Sequence, residues 1–417
     1  MKSKAPFSAT IFYTSNMPPH PDHWKSVEEA GFTIVKQENP DPSMNWKYTV
    51  NYPKLGTGSI FHLKENPAFP TELIEYAGEL TSREREEFQR FKFPVIYISD
   101  DRESSLPHKR KDQFRIVREL MGIQSDFMRD NISHRFWSRE GLDDELGHGA
   151  PLGADALMTF HNVQLENGGI WMHSHGLAEL CLFDFDFVDL KDDSHVLIWN
   201  EPRRAISNLI MEGLISQNGN KVPIADPKAS VGLVEAQKFN SAVGRKTAEK
   251  LRPGHSNGHD EDRAVVCEPL SGFFTRNKIK PSRWVRKNNP GRVRFAFSAA
   301  ASEAMGQRAK ATVPTLREYF PFAKEQELAV LVKLKYKADD DNDWEHLWFE
   351  VHDLADDHID ATLLNQPFNI SDMNEGDRGK HDYERLTEWQ ILAHMVMADP
   401  QSTLYLRELM DVIDEHG

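Results

Sequence analysis

Hydrophobic and polar positions in the first 125 residues alternate with periods of two and of 3.6, the periods of strands and helices. The predicted strands are 8–14, 32–37, 46–52, 59–64 and 93–101, and the predicted helices are 23–30, 71–91 and 107–121. Thr81 and Glu84 have the spacing of a capping box, so a second helix start is predicted there. Gly122 predicts the end of the last helix. The segment is therefore predicted to be a small mixed α/β subdomain.

The pattern is irregular from 126 to 155 and then predicts a β-hairpin. Asn167-Gly168 separates two apolar runs and is a strong signal for a two-residue hairpin turn. The elements predicted after it are a strand at 180–188, a helix at 202–214, long polar loops around one short element over 216–263, and a strand at 292–298. A second, α+β, subdomain is therefore predicted.

A third pattern begins near residue 328, where short apolar strands are separated by acidic turns. A final helix is predicted at 403–415. The whole chain is thus predicted to have an α+β fold in three parts. These parts are an α/β subdomain at 1–125, an α+β subdomain with the histidine-bearing hairpin at 126–325, and a small β-rich domain at 326–417.

Four short motifs in the last part resemble a bacterial domain of unknown function, the YegJ-like domain. They are EHLWFEV at 345–351, ATLLNQP at 361–367, EGD at 375–377 and LTEW at 386–389. Glu388 stands where such proteins tend to have aspartate. The resemblance covers about 328–400 and implies an uncharacterised bacterial family with no established catalytic role, so it transfers no site residue. Trp348 and Trp389 are interpreted as core residues, because tryptophan buries a large area.

His173 and His175 are the strongest candidate site residues. They lie two residues apart on a predicted strand, so both imidazoles point to one face. Two imidazoles on one face can bind one metal ion, such as zinc, but a stable site needs a third protein ligand. The stretch from Trp171 to Leu177 also resembles a W-x-H-x-H-G-L motif of the uncharacterised domain that often precedes the YegJ-like domain.

His161 is the candidate third ligand, and the register of the hairpin decides its position. A three-residue turn over Asn167–Gly169 places His161 opposite His175, on the same face. The two-residue turn Asn167-Gly168 turns His161 to the other face. Because Asn-Gly favours the two-residue turn, the sequence favours the second register.

Glu179 is the candidate proton acceptor for a metal-bound water, which makes a metal-dependent hydrolase one alternative function. His173-x-His175 followed by Glu179 resembles the first cupin motif. His173-x-His175 with ten residues before Asp186 resembles a zinc deubiquitinase-like metalloprotease motif. Both patterns are incomplete, because Asp186 replaces a glycine in the first and Gly176 replaces a proline in the second.

A structural interpretation of the same stretch is favoured over the metal site. Asp184 and Asp186 share one face of the predicted strand and phenylalanines share the other, which is typical of a half-buried strand with a solvated acidic edge. His173 and His175 would then be hydrogen-bonded polar groups beside a turn.

Charge disfavours one class of partner and singles out one segment. The formal net charge of −15 makes nucleic acid an unfavourable partner for the chain as a whole. The segment 276–294 is nevertheless basic and includes Trp284, a composition suited to phosphate or single-stranded nucleic acid. Its candidate contact residues are Arg276, Lys278, Lys280, Arg283, Arg286 and Lys287. The alternative to nucleic-acid binding is that this basic segment docks on the chain's own acidic residues at 339–343. His255 and His259, among acids in a predicted loop, are a weak signal.

The remaining expectations concern location and function. Two cysteines, Cys181 and Cys267, exclude a disulfide framework and favour a reducing compartment. No apolar stretch has the length of a signal peptide or a membrane span, so a cytoplasmic location without membrane contact is expected. The favoured function is binding of a protein partner of unknown identity through the aromatic and acidic surface of the C-terminal domain. Whether the protein is an enzyme stays open.

Overall fold

The computed structural model describes most of the chain and places three β-sheets in it. The described residues are 5–14, 21–38, 40–53, 55–65, 74, 80–147, 149–150, 152–191, 200–225, 229–256, 258–270, 279–283, 298–339, 344–393, 396–401, 403, 406–407 and 410. The sheets have seven, six and six strands, and helices lie between strands along the chain. The predicted α+β fold class is confirmed.

The first sheet is antiparallel throughout and has the order β2-β3-β4-β5-β1-β6-β7. Its strands are β1 (Ser8–Tyr13), β2 (Thr33–Lys36), β3 (Met44–Tyr52), β4 (Gly56–Leu63), β5 (Phe93–Ser99), β6 (Phe127–Asp130) and β7 (Phe136–Ser138). The helices of this part are α1 (Pro21–Glu29), α2 (Ser82–Phe88) and α3 (Pro107–Met121). The five predicted strands are confirmed.

The capping box predicted at Thr81 is present at the start of α2. The backbone N–H of Glu84 donates to the Thr81 hydroxyl at 3.1 Å, and the backbone N–H of Thr81 donates to the Glu84 carboxylate at 2.8 Å. Each side chain thus satisfies a backbone donor that the first helical turn leaves without a partner. Gly122 ends α3 with a positive φ of 49°, as predicted.

The prediction of irregular structure over 126–155 is wrong. This stretch contains β6, β7, α4 (Arg139–Gly147) and α5 (Ala154–Leu157). The strands have four and three residues, too few to show a period-two pattern, and β6 forms through antiparallel pairing with β1.

The second sheet has the order β11-β12-β13-β10-β9-β8 and one parallel pair, β10 with β13. Its strands are β8 (Thr159–Gln164), β9 (Gly169–His175), β10 (Asp184–Lys191), β11 (Val222–Ala225), β12 (Ala229–Glu235) and β13 (Arg263–Cys267). The helices are α6 (Asn200–Met211), α7 (Ala236–Val243) and α8 (Arg245–Leu251). One face of the sheet contributes Met172, Phe185 and Phe187 to a core that includes Ile206 of α6.

Two predictions for this part are wrong. The strand predicted at 180–188 begins only at Asp184, because Leu180 ends a short 3-10 helix and Cys181 has a left-handed backbone with φ 59°. The residues predicted as long loops, 216–263, include two strands and two helices. The polar composition that suggested loops comes from the exposed faces of α7 and α8 and from the segments between elements. Residues 292–297 of the predicted strand 292–298 lie outside the described part of the chain.

The third sheet is antiparallel and has the order β17-β16-β15-β14-β18-β19. Its strands are β14 (Ala329–Lys337), β15 (Trp344–Leu354), β16 (Ile359–Leu363), β17 (Arg378–His381), β18 (Leu386–Ala393) and β19 (Val396–Ala398). The helices α9 (Ala299–Ala311) and α10 (Val313–Glu325) precede it. Most of the predicted helix 403–415 lies outside the described residues.

The chain divides into two compact units. One unit comprises 1–77, 87–142 and 154–298, and the other comprises 78–86, 143–153 and 299–417. The first unit therefore contains the first and second sheets, and the second unit contains the third sheet. No helix within the described residues is both long and apolar enough to cross a membrane.

Candidate metal site

The β8–β9 hairpin has a register that brings His161 to the face of His173 and His175. Gln164 pairs with Ile170, and His161 pairs directly with His173. The backbone N–H of Leu165 donates to the carbonyl of Gly169 at 2.8 Å, so the loop is Glu166–Gly168. Directly opposed residues of antiparallel strands point to the same face, so three imidazoles share it.

The predicted two-residue turn is therefore wrong. The loop has three residues, and Gly168 occupies its last position with φ +78°. A glycine in this left-handed conformation is typical of three-residue hairpin loops, which use the same Asn-Gly dipeptide as two-residue turns. The loop also differs from the predicted three-residue alternative, because His161 lies opposite His173 and not opposite His175.

His161, His173 and His175 form a compact group. One ligand-type nitrogen from each histidine lies within 4.8 Å of the others. The ring centroids are 5.5 Å apart for His161 and His173, 4.6 Å for His161 and His175, and 5.0 Å for His173 and His175. His173 is 4% exposed, and His161 lies nearest to solvent. Within the described residues, this is the one group of three histidine, cysteine or acidic side chains with such spacing.

Two nitrogens in the group are buried without a hydrogen-bond partner. They are Nδ1 of His173 and Nε2 of His175. Buried polar atoms normally have partners, because an unpaired one loses its hydration without compensation. A metal ion would give such a lone pair a partner, so these atoms fit the donor set of an imidazole metal site.

Burial also keeps these imidazoles neutral. It lowers the pKa of His173 to about 2, assisted by the positive charge of Arg263. Burial likewise lowers the pKa of His175 far below its usual value, with His161 as the largest charge contribution. Only the neutral imidazole carries a free lone pair, so both histidines are in the protonation state that a metal requires.

A buried charge network supports the histidine face from the neighbouring strand. Asp186 of β10 pairs with His173 in the sheet and is fully buried. Its carboxylate accepts hydrogen bonds from Nε of Arg252 and from Nη1 of Arg263, both at 2.6 Å. Arg263 also donates to the carbonyl of Ser174 at 2.8 Å. The network ties the strand between His173 and His175 to two other segments.

The prediction of a solvated acidic edge is wrong. Asp184 is 4% exposed and Asp186 is not exposed at all. Asp184 accepts hydrogen bonds from the Ser174 hydroxyl at 2.7 Å and from the N–H groups of Leu177 and Ala178, both at 3.3 Å. Carboxylates on an alternating strand are usually solvated, but here guanidinium, hydroxyl and backbone donors replace the water.

The turn after His175 requires glycine. Gly176 has φ +120°, and a Cβ at this position would lie 2.4 Å from the carbonyl oxygen of Leu157. Glu179 follows in the short 3-10 helix Ala178–Leu180 and is half-buried. Among the described residues, Glu179 does not join the group of closely spaced ligand atoms. Asp186, the acidic residue of the metalloprotease-like pattern, is held by its two arginines.

His134 and His259 also contact the group. The ring centroid of His134 lies 4.9 Å from that of His175, and the rings are nearly parallel at 20°. The ring centroid of His259 lies 5.0 Å from that of His173 and 5.3 Å from that of His175. Sequence reasoning missed His134, which has no patterned neighbour, and rated His259 as a weak loop signal. His134 precedes His161 by 27 residues and His259 follows His175 by 84 residues, so no local spacing indicates that they belong together.

The backbone around His134 is held by a second buried ion pair. Asp130 and Arg110 have fully buried side chains and pair with each other. Asp130 also accepts from the backbone N–H of Ile132 at 2.8 Å and from the Ser133 hydroxyl at 2.9 Å. This turn carries His134 with a left-handed φ of 60°. Burial, and then the charge of Arg129, lowers the pKa of His134 to about 4.

The candidate phosphate-binding residues are mostly outside the described part of the chain. Arg276, Lys278, Arg286 and Lys287 belong to segments that the structure does not describe. Lys280 and Arg283 are described and exposed, and the backbone N–H of Arg283 bonds to the Glu268 carboxylate. Phosphate or nucleic-acid binding by this segment stays a prediction.

The tryptophans of the C-terminal motifs take part in packing. Trp389 is fully buried, and its indole N–H donates to the Thr312 hydroxyl at 2.8 Å. The Asn365 side chain accepts from the backbone N–H of Trp348 at 3.1 Å. The Trp348 ring is half-buried, with the Lys333 ammonium 5.1 Å from its centroid.

Comparison with known proteins identifies only this C-terminal region. Residues 302–411 match the profile of a family described as an uncharacterized protein conserved in bacteria, DUF2314. This segment is similar to that family. The predicted resemblance to a bacterial domain of unknown function is thereby confirmed. The family match begins only after the histidine group, so it carries no information on that group. No curated protein and no solved structure matches the chain.

Proposed function

We propose that this protein binds one divalent transition-metal ion through His161, His173 and His175. The observation that carries the proposal is the convergence of three imidazoles, with ligand atoms within 4.8 Å, on one face of two paired strands. The buried, partnerless nitrogens of His173 and His175 support it. The proposal reverses the preference of the sequence for a structural role.

Zinc is the first candidate ion. An all-imidazole donor set suits zinc, copper, iron or nickel, whereas magnesium and calcium prefer oxygen ligands. The buried aromatic ring of Trp171 stacks on His173 at 4.2 Å between centroids and limits the directions from which the imidazole can bind. A packed aromatic wall of this kind restrains the orientation of the ligand before the metal binds.

Elemental analysis of the purified full chain tests the proposal directly. We expect about one zinc per chain after zinc loading and gel filtration, and loss of that zinc in His161→Ala and His173→Ala. His108→Ala is the matched control, since His108 is an exposed histidine on α3 of the same unit. A metal-free wild type, or equal zinc in wild type and both histidine variants, would contradict the proposal.

A metal-dependent hydrolase is a more specific form of this proposal, and it requires a coordination position for water in addition to the three ligands. Three protein ligands leave a fourth position for water, and zinc lowers the pKa of such a water to about 7. The hydrolase therefore requires an open fourth position. Zinc-dependent turnover of chromogenic esters that His161→Ala abolishes would support it, and a zinc-loaded protein without turnover would count against it.

A protein-binding role of the C-terminal family region is the second candidate. Trp344 at 52% exposure, Phe368 at 70% and Leu364 at 40% are large exposed apolar residues of this region. They lie at the start of β15 and in the loop beside it, because Phe368 N–H bonds to the Glu345 carboxylate at 2.9 Å. Exposed apolar groups of this size are typical of interaction surfaces.

Affinity capture with the full chain tests this second role. We expect Trp344→Ser/Phe368→Ser to lose a specific partner that the wild type captures from a bacterial lysate. Ile123→Ser, which changes an exposed apolar residue of the other unit, is the control. Identical partners for wild type and double variant would remove this surface from consideration. A cytoplasmic location stays a prediction.

A further inference from the structure

We propose that His259 is the fourth ligand of the metal, so that four imidazoles enclose the ion. This inference rests on the proposed function, because it completes the same site. It changes the expected chemistry, since a fourth protein ligand takes the position that a catalytic water would need. Under this inference the site holds a metal for structure, storage or sensing, and the hydrolase prediction fails.

The ring separations of His259 are those expected for ligands of one ion. Two imidazoles on a tetrahedral ion with metal–nitrogen distances of about 2.1 Å have ring centroids about 5 Å apart. His259 lies 5.0 Å from His173 and 5.3 Å from His175. The three histidines of the compact group are separated by 4.6 to 5.5 Å. The ring of His259 therefore lies at the separation of ligand rings from two members of the group, although its nitrogens are not among the ligand atoms that lie within 4.8 Å of one another.

The ring planes agree with this arrangement. His259 is inclined at 83° to His173 and 77° to His175, close to the 80° between His161 and His173. His134 differs, because its ring stacks nearly parallel on His175 at 20°. Stacked rings direct their nitrogens along parallel planes and do not converge on a common ion. His134 therefore packs against a ligand, and His259 is the better fourth donor.

The backbone of His259 is anchored to β10, the strand beside the ligand-bearing β9. The carbonyl of His259 accepts from Nη2 of Arg252, and its N–H donates to the carbonyl of His255 at 2.9 Å. Arg252 in turn bonds to Asp186, the residue that pairs with His173 in the sheet. The anchor fixes the position of the His259 backbone beside the histidine group.

The position of His259 in a distant loop explains why no spacing in the sequence indicates it as a ligand. His259 lies 84 residues after His175, beyond three strands and three helices. The charge network of Arg252, Asp186 and Asp260 connects the loop to β10, which pairs with β9; Arg252 lies 2.9 Å from Asp260. The fourth ligand is thus supplied by tertiary contacts.

Cobalt substitution tests the inference, because cobalt(II) reports its ligands by visible absorption. We expect the cobalt-loaded wild type to keep one spectrum between about pH 6 and about pH 9 and to ignore added azide. His259→Ala should still bind cobalt, but its spectrum should change with pH and with azide as water takes the fourth position. Its zinc affinity should fall by roughly 10- to 100-fold or more. Losses of roughly 10- to 100-fold are typical even when the residue removed only hydrogen-bonds to a metal ligand.

The matched control is His134→Ala, which removes a neighbouring imidazole that the inference leaves outside the coordination sphere. We expect its cobalt spectrum to stay independent of pH and azide. If His259→Ala has the wild-type affinity and spectrum while His161→Ala loses metal, this inference fails and the three-histidine proposal stands. If the wild type binds neither cobalt nor zinc, both fail. A wild-type spectrum that responds to azide and pH would establish an open site and overturn the inference.

Discussion

Asp186 connects the chemistry of the histidine face to its stability. Its carboxylate is fully buried and faces two guanidinium groups, those of Arg252 and Arg263. A buried ion pair is costly to form, but removing one partner is costlier, because the other charge stays buried without compensation. Arg252 also holds the backbone of His259, so the loss of this carboxylate should reach the proposed metal site.

Replacement of Asp186 by asparagine should therefore destabilise the chain strongly. We expect a loss of about 3–5 kcal/mol in the free energy of unfolding, measured by urea denaturation of the metal-free protein. Asp126→Asn is the control, since Asp126 is half-exposed and pairs with Arg139 at 2.7 Å. Its removal should cost no more than about 1 kcal/mol. Similar losses in the two variants would show that the buried network is not the stabilising feature.

His381 of the C-terminal region gives that region a pH-dependent stability. Burial lowers the pKa of His381, whose Nδ1 lies 2.5 Å from the hydroxyl of Tyr336. A histidine with a lowered pKa in the folded state resists protonation there, whereas the unfolded chain takes up the proton near pH 6.5. Its contribution to stability is therefore present above about pH 6.5 and is lost as the pH falls below that value.

The variant His381→Gln should reduce this pH dependence. We expect hydrogen exchange of β16 peptides in urea to show a smaller loss of protection between about pH 7.5 and about pH 5 than in wild type. His346→Gln, which changes an exposed histidine of the same sheet, should keep the wild-type dependence. An unaltered pH dependence in His381→Gln would refute the assignment.

The β8–β9 hairpin is the element whose register decides whether a metal site exists. A shift by one residue would turn His161 to the opposite face. The observed register depends on Gly168 at φ +78° and on the Asn167 side chain, whose amide donates to the Asp189 carboxylate at 3.0 Å. The loop is thus held both by its own backbone conformation and by a contact with β10.

Gly168→Ala should show how much of this register depends on the backbone conformation. No atom lies within 4 Å of a Cβ built at this position, so the cost is purely conformational. We expect a loss of roughly 1–2 kcal/mol in unfolding free energy, read from urea denaturation. Gly147→Ala meets equally open space without a positive φ and should be nearly neutral. Equal stability of the Gly168 variant and wild type would mean that the contact with Asp189 alone fixes the loop.

The whole molecule consists of two compact units, and all five histidines of the site belong to the first. A ligand that binds only the folded state stabilises it by an amount set by its concentration relative to Kd, about 2.7 kcal/mol at 100 times Kd. Metal binding should therefore protect the first unit directly.

Zinc should raise the melting temperature of the wild type but not that of His161→Ala. Hydrogen exchange should locate the effect of zinc, with new protection in peptides covering 159–175. No added protection is expected in peptides of β14, which belongs to the second unit. An equal shift of melting temperature in both proteins would mean that zinc binds elsewhere.

Much of the element content could be predicted from local patterns. The strands β1 to β5, the capping box at Thr81 and the helix 107–121 follow from periodicity and capping residues, which act over a few neighbouring positions. The short strands β6 and β7 could not be predicted, because they depend on pairing with distant segments. The same limit applies to α7 and α8, whose polar surfaces resemble loop composition.

The sequence by itself determined the pair His173 and His175 on one face, since a strand places alternate residues on the same side. It also determined the similarity of the C-terminal region to an uncharacterised bacterial family, through motifs that are contiguous in the chain. Only the tertiary structure decided that His161 joins the pair and that Asp184 and Asp186 are buried. It also brought His134 and His259 to the same place. The physical reason is that register, burial and long-range approach depend on packing and charge pairing between segments far apart in the chain, which local spacing does not encode.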